Sequence, residues 1–159
     1  MNQAPQSSAL SLVLFVIEGQ RYALPLPAVE RALPMAAVCS LPRAPAIALG
    51  VINVHGQVVP VLDIHRRFGL PSRPFGVEAH LLLARTSRRT VAFPVDEALG
   101  VMEVSRETLV SPEAILPGTG HVAGIVALPD GLLFIYDLDT FLSLEEERQL
   151  TEALRETES

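Results

Sequence analysis

The sequence predicts a mainly β protein made of two pseudo-repeated five-stranded β-barrel subdomains packed side by side, with short helical turns and a C-terminal helix. Three observations lead there. Thirteen Pro and ten Gly are spread along 159 residues, between many short Val-rich and Leu-rich runs, which is the pattern of short strands joined by turns. The stretch Gly50 to Phe68 reads as a β-hairpin, with apolar runs Gly50 to Val54 and Gln57 to Ile64 flanking the dipeptide His55-Gly56; Gly at the second turn position supplies φ > 0 without a Cβ penalty. The second half then repeats the apolar skeleton of the first.

That repeat needs no gap over its clearest part. A shift of 74 positions lays Gly50 on Gly124, Val51-Ile52 on Ile125-Val126, Val58-Val59 on Leu132-Leu133, Val61 on Ile135 and Asp63-Ile64 on Asp137-Leu138. A shift of 69 lays Leu12-Val13-Leu14 on Leu81-Leu82-Leu83 and Ala23-Leu24-Pro25-Leu26 on Ala92-Phe93-Pro94-Val95. A Gly, a Pro and an Asp fall in register along with the common apolar residues. Small five-stranded units commonly close into barrels, and each alone is short of core, so two barrels leaning on each other follow.

In chain order, Met1 to Ser8 is unpatterned and expected to be a loose tail ending near residue 9. Leu10 to Ile17 is apolar on both alternating faces apart from Ser11, as in a strand buried on both sides. Glu18-Gly19-Gln20 reads as a turn and Arg21 to Leu26 as the return strand, stopped by Pro25 and Pro27. Ala28 to Leu33 is expected to form a helical turn or two, and Ala37 to Leu41 another strand. In the hairpin, alternation puts Ile52 and Val54 on one face and Asn53 and His55 on the other. His65 to Phe68 is expected to curl into a helical turn ending at Gly69. Leu70 to Gly76, with two Pro and a terminal Gly, is the linker between units spanning about 10–69 and 77–143. From 144 to 159 a helix is expected: Ser143-Leu144-Glu145-Glu146 has capping-box spacing, and Leu150, Ala153 and Leu154 share one face. That helix reads as partly docked and otherwise solvated, with partner binding as the alternative.

Composition narrows the function. The net charge is −6, all twelve basic residues are Arg, and no aromatic residues alternate with them, which speaks against nucleic acid as a partner. Aromatics are 5% of the chain and Trp is absent, so an aliphatic core is expected. The single Cys39 can form no internal disulfide and no four-cysteine zinc site, which suits a reducing, intracellular compartment. The apolar run Leu10 to Ile17 lacks the flanks of a signal peptide and is too short to span a bilayer.

Catalytic readings find little support. His55, Asp63 and His65 cluster in sequence, and Asp63-Ile64-His65 would put two of them on one face of a strand, but a metal site or acid–base pair needs a further convergent group. Asp63 has a counterpart in Asp137, which argues for a repeated structural task such as capping the following turn. Cys39 lies in an apolar run, and no nucleophile elbow or phosphate-binding glycine loop occurs; Gly118-Thr119-Gly120 is too sparse. No cofactor is expected. The pairs Arg66-Arg67 and Arg88-Arg89 read as solvated turn residues or as part of a partner surface. The polar face of the hairpin is the stronger recognition candidate, as a loop tip on a rigid scaffold.

With these residues in view, the chain resembles the CheW-like coupling proteins of bacterial chemosensory arrays over nearly all of Leu12 to Leu142. The strongest part is Gly50-Val51-Ile52-Asn53-Val54-His55-Gly56-Gln57-Val58-Val59-Pro60-Val61-Leu62-Asp63, similar to the family's Gly, hydrophobic pair, Asn-Leu-Arg-Gly and Val-Pro-hydrophobic-Asp. Tyr22 to Leu26 with Val29, Leu41-Pro42 with Ala44-Pro45, Val95-Asp96, Val101, Glu113-Ala114-Ile115 and Gly124-Ile125 match further positions. The resemblance implies two five-stranded barrels and a non-catalytic cytoplasmic adaptor. Such adaptors bind the regulatory domain of a chemotaxis histidine kinase at one surface and the helical hairpin tip of a chemoreceptor in a groove between the barrels, so they are membrane-proximal without being inserted. It also implies partner-binding roles for Val29, Arg31, Gly50, Asn53, His55, Gly56 and Val101.

Two positions depart from the family. His55 stands where the family has Arg, and Arg31 where an acidic residue is usual, so partner choice is expected to differ in a divergent member serving its own array. The alternative function is a small β-barrel regulatory module with another protein or ligand partner and no array role. An enzyme ranks third.

Overall fold

The computed structural model describes residues 9–67, 76–111 and 122–158. Strands β1 (Ala9–Ile17) and β2 (Gln20–Pro25) form the first hairpin. Glu18 and Gly19 turn it with φ of 54° and 78°, both left-handed, which matches the twist of the strands. A 3-10 turn at Leu26–Ala28 leads into β3 (Val29–Pro34). The helical turns expected over Ala28 to Leu33 are thus replaced by a strand, because β3 finds an antiparallel partner in β6 (His80–Arg85) and pairing outweighs a weak local helix preference.

The second hairpin is β4 (Ala48–Val54) and β5 (Gln57–Leu62), followed by the short helix α1 (Ile64–Arg67). Strand β6 turns into β7 (Thr90–Val95), and the chain continues through β8 (Glu97–Ser105), a 3-10 turn at Arg106–Thr108 and β9 (Leu109–Val110). A third hairpin, β10 (Val122–Leu128) and β11 (Gly131–Tyr136), precedes a 3-10 turn at Leu138–Thr140 and helix α2 (Leu144–Glu158). The tail expected over Met1 to Ser8, the linker over Leu70 to Gly76 apart from Gly76, and Glu113-Ala114-Ile115 lie outside the described residues.

The strands make a six-stranded sheet in the order β8-β1-β2-β11-β10-β9 and a five-stranded sheet in the order β3-β6-β7-β5-β4. Each sheet draws strands from both halves of the chain. The exchange occurs at two parallel contacts, Val61 with Ala92 between β5 and β7, and Ile135 with Ala23 between β11 and β2. These are the same contact under the sequence repeat, since Val61 matches Ile135 and Ala92 matches Ala23. The sequence repeat and the sheet are therefore different divisions of the molecule.

In the larger sheet the two edge strands, β8 and β9, are joined directly by the 3-10 turn at Arg106–Thr108. In the other sheet β3 runs on to Cys39, which pairs with β4 through a single bridge to Val51. The strand expected over Ala37 to Leu41 is reduced to that bridge, flanked by Pro34 and Pro42, which lack the N–H a longer ladder would use.

Three cores hold the fold. Leu12, Leu14, Ala23, Val126, Leu133 and Ile135 fill the larger sheet, and Leu81, Leu83, Ala92, Ile52, Val59 and Val61 fill the smaller one. All six pairs correspond under the repeat. Between the sheets lies a central core that includes Phe15, Tyr22, Phe93, Tyr136 and Phe141, with Phe134 packed against it. Ring centroids there are 5.5 Å apart for Tyr22 and Tyr136 and 5.7 Å for Phe15 and Phe93. The expectation of an aliphatic core holds for the two sheets and for most of the central core, where the few buried aromatic rings are gathered among Leu, Ile, Val and Ala. Burial pushes the phenols of Tyr22 and Tyr136 up, Tyr136 the further.

Helix α2 caps this central core with Leu150 and Ala153 buried and Leu154 against them. Its capping box is formed: Glu146 N donates to Ser143 Oγ at 3.1 Å and Ser143 N to Glu146 Oε1 at 2.9 Å. Arg89 Nε reaches Glu147 Oε1 at 2.9 Å, and Arg67 pairs with Glu146. Arg67 and Arg89 therefore clamp the helix instead of lying in solvated turns, while Arg66 and Arg88 remain exposed.

Candidate functional site

The hairpin of β4 and β5 is built around its turn. His55 has φ of 52° and Gly56 φ of 86°, the left-handed pair a two-residue turn needs. Asn53 Oδ1 accepts from Gly56 N at 2.7 Å, so the Asn side chain braces the turn from inside. Ile52 is buried and Val54 half-buried in the small sheet core, whereas Asn53 and His55 are exposed, as alternation requires.

Beside this hairpin lies an open apolar groove of about 620 Å³. Its walls are the segment running from Arg31 through Met35 and Ala37 to Cys39 on one side and β4 on the other, with Leu81 at its base. The groove thus opens at one end of the smaller sheet, between β4 and the segment that follows β3. Gly50 fixes the width of the wall. A Cβ there would lie 2.1 Å from the Cys39 carbonyl oxygen, while Cys39 N and Val51 N each donate to the other's carbonyl at 2.9 and 2.7 Å.

The seven residues singled out by sequence fall into two groups. Arg31, Asn53 and His55 line the groove, Gly50 shapes it and Gly56 completes its turn. Val29 lies at the start of β3, opposite Ala84 and against the central core, and Val101 lies on β8 of the other sheet, opposite Val13 and 61% exposed. The apolar wall of Leu33, Met35, Ala36 and Ala37 is missed by sequence reasoning. Pro34 to Ala36 fell between a helical turn expected over Ala28 to Leu33 and a strand expected over Ala37 to Leu41, so the continuous wall went unread.

Asp63 sits past the end of β5, where its Oδ1 accepts from His65 N at 3.2 Å, and Asp137 accepts from Asp139 N at 3.1 Å. Both cap the turn that follows, the repeated task their spacing suggests. His65 is in α1, not on a strand, and its ring lies within 3.8 Å of Glu18 and Asp63 in the interior. Among the described residues no group of three His, Cys, Asp or Glu could hold a metal ion.

A rigid double-sheet body with an apolar groove rimmed by a polar turn defines a protein-interaction module. Residues 11–146 match the CheW-like domain family, and the chain belongs to that family. It is 27% identical over 137 residues to the chemotaxis protein CheW of Rhizobium meliloti, covering 85% of this chain and 88% of that one. To the chemotaxis protein CheW of Bacillus subtilis it is 28% identical over 136 residues, covering 84% and 87%. Its fold is similar to that of the scaffolding protein TtCheW from Thermoanaerobacter tengcongensis, with a TM-score of 0.77 at 21% identity, covering 86% and 94%. As a member of this family the chain is a non-catalytic adaptor that couples chemoreceptors to a chemotaxis histidine kinase. No helix among the described residues is long and apolar enough to cross a membrane.

Proposed function

We propose that the two partners use two separate surfaces, and that the groove beside the hairpin takes the regulatory domain of the kinase. The observation carrying this is the groove itself. Its floor and walls are apolar, its rim carries Arg31, Asn53 and His55, and such a centre with a polar rim is the anatomy of a specific protein interface. Val29 and Val101 lie away from it and are assigned to the receptor tip. The chain acts in the cytoplasm, held near the membrane only through the receptor. The units about 10–69 and 77–143 work as one body, because each sheet uses strands from both.

Arg31 and His55 make this a divergent member. Arg31 places a fixed cation at the groove rim where the family has an acid, and His55 replaces a forked cation with an imidazole. The partner kinase is expected to present a surface matched to both. The test is co-purification with its own kinase regulatory domain and receptor tip, and with those of an unrelated array, for the wild type and His55→Arg. A gain toward the unrelated array with loss of its own supports rewired specificity. No effect on either overturns it, and failure of the wild type to bind any kinase or receptor would favour a regulatory module outside such arrays.

A further inference from the structure

The hairpin turn has a second side. Across it from the apolar groove lies an open recess of about 770 Å³, lined by His55, Gln57, Arg85, Arg88, Thr90 and Leu154 among others. His55 and Val58 line both cavities, so the turn is the ridge between them. The two sides differ in chemistry: among the described residues the recess is lined by Arg85, Arg88 and Arg89 and by no carboxylate.

The commitments of those Arg residues differ. Arg89 is spoken for by Glu147 at 2.9 Å and Thr151 at 2.5 Å. Among the described residues, Arg85 Nη1 reaches the neutral Thr90 Oγ1, at 3.3 Å. Among the described residues neither Arg85 nor Arg88 has a carboxylate within ion-pair distance. In a chain of net charge −6, where Arg21, Arg43, Arg66, Arg67, Arg89 and Arg148 face carboxylates, the recess brings together two guanidinium groups that have none among the described residues. On α2, Arg155 lines a small pocket with Arg89, Thr151 and Leu154, while Glu147 and Glu152 lie farther round the same helix.

We propose that this recess docks an acidic segment of a partner protein, at a site separate from the apolar groove. Guanidinium groups pair with carboxylates in bidentate fashion, and Gln57 and Thr90 add neutral hydrogen-bonding groups beside them. Val58, Pro60 and Leu154 supply an apolar floor, which suits a peptide carrying an apolar side chain between its acids. A nucleic acid is a poor match, because no Phe, Tyr or Trp among the described residues lines the recess and the chain as a whole is acidic. The site stands whichever array partner carries the segment.

The probe is a fluorescent, end-capped 15-residue helical peptide with Glu at positions i and i+4 in an Ala and Leu background, titrated with the full chain at low salt. The Gln version of the peptide is the control. Expected are saturable binding of the Glu peptide, steep weakening with salt, and at least tenfold loss in Arg85→Glu/Arg88→Glu, with a smaller loss in Arg85→Gln/Arg88→Gln. Arg106→Glu, on the 3-10 turn between β8 and β9 and outside both cavities, should bind the peptide as the wild type does. Both recess positions are exposed, and circular dichroism checks that the variants fold. Absence of binding, equal binding of the Gln peptide, no loss on charge reversal, or tighter binding of a single-stranded oligonucleotide each overturns the proposal.

Discussion

A methyl group on Gly50 would overlap the carbonyl oxygen of Cys39, 2.1 Å away, and would meet Val38 Cγ1 at 2.7 Å. The backbone at Gly50 also has φ of 153°, which an L side chain rarely adopts. Gly50→Ala should therefore push the Met35 to Cys39 wall off the hairpin and cost about 1–3 kcal/mol of stability. Gly124, its counterpart, would meet nothing nearer than Leu109 Cδ2 at 3.8 Å. Gly124→Ala should stay within about 1 kcal/mol of the wild type in urea denaturation, and only the Gly50 variant should lose affinity for the groove partner.

The paired sheet cores make a second test. Leu12 and Leu81 occupy the same place in the two sheets and both are fully buried. Leu12→Ala and Leu81→Ala should each cost about 2–5 kcal/mol. Only Leu81 borders the groove, so only its loss should also weaken the groove partner in calorimetric titration. Equal effects on binding would mean that the groove is not the interface.

Helix α2 should depend on Arg89. Its Glu147 partner is buried, so Arg89→Ala strands a carboxylate and should cost about 2–4 kcal/mol. Arg89→Ala/Glu147→Gln should recover much of that, as read by thermal denaturation. A double variant no better than the single would show that packing of Leu150 and Ala153 alone holds the helix.

The central core predicts alkaline behaviour. Burial raises the phenols of Tyr22 and Tyr136 above the ordinary tyrosine value, and charge on Tyr22 raises Tyr136 further. Groups raised in the folded state contribute stability that is complete below the unfolded value of about 10 and lost as pH climbs from there toward the folded values. Stability measured against pH should fall above about 10, with the tyrosinate absorbance step coinciding with unfolding. Tyr136→Phe should flatten the fall. A phenol that titrates freely near pH 10 in the intact fold would contradict the buried ring cluster.

Much of this architecture was legible because the repeat is carried by residues with fixed jobs. Gly50 and Gly124 each sit where the strand register slips, between Ala48 and Gly50 and between Val122 and Gly124. Asp63 and Asp137 each cap a turn. The His55-Gly56 turn followed from local chemistry alone. What could not be read was long-range. β3 is a strand only because β6 lies beside it, and the exchange of β5 and β11 between sheets joins residues far apart in sequence. The apolar groove wall depends on both, so the sequence points to residues on the groove's rim and not to its wall. The Arg pairs were split by contacts with α2, which no local pattern encodes.

The central claim is that two partners bind two surfaces, and calorimetric titration of two surface variants against both partners tests it most directly. Ala37 is exposed in the groove wall and Val101 is exposed on β8, so Ala37→Glu and Val101→Glu leave the cores intact. Ala37→Glu should lower affinity for the kinase regulatory domain at least tenfold and leave the receptor tip unchanged, and Val101→Glu should do the reverse. If both variants weaken the same partner, or neither weakens any, the two-surface account is wrong.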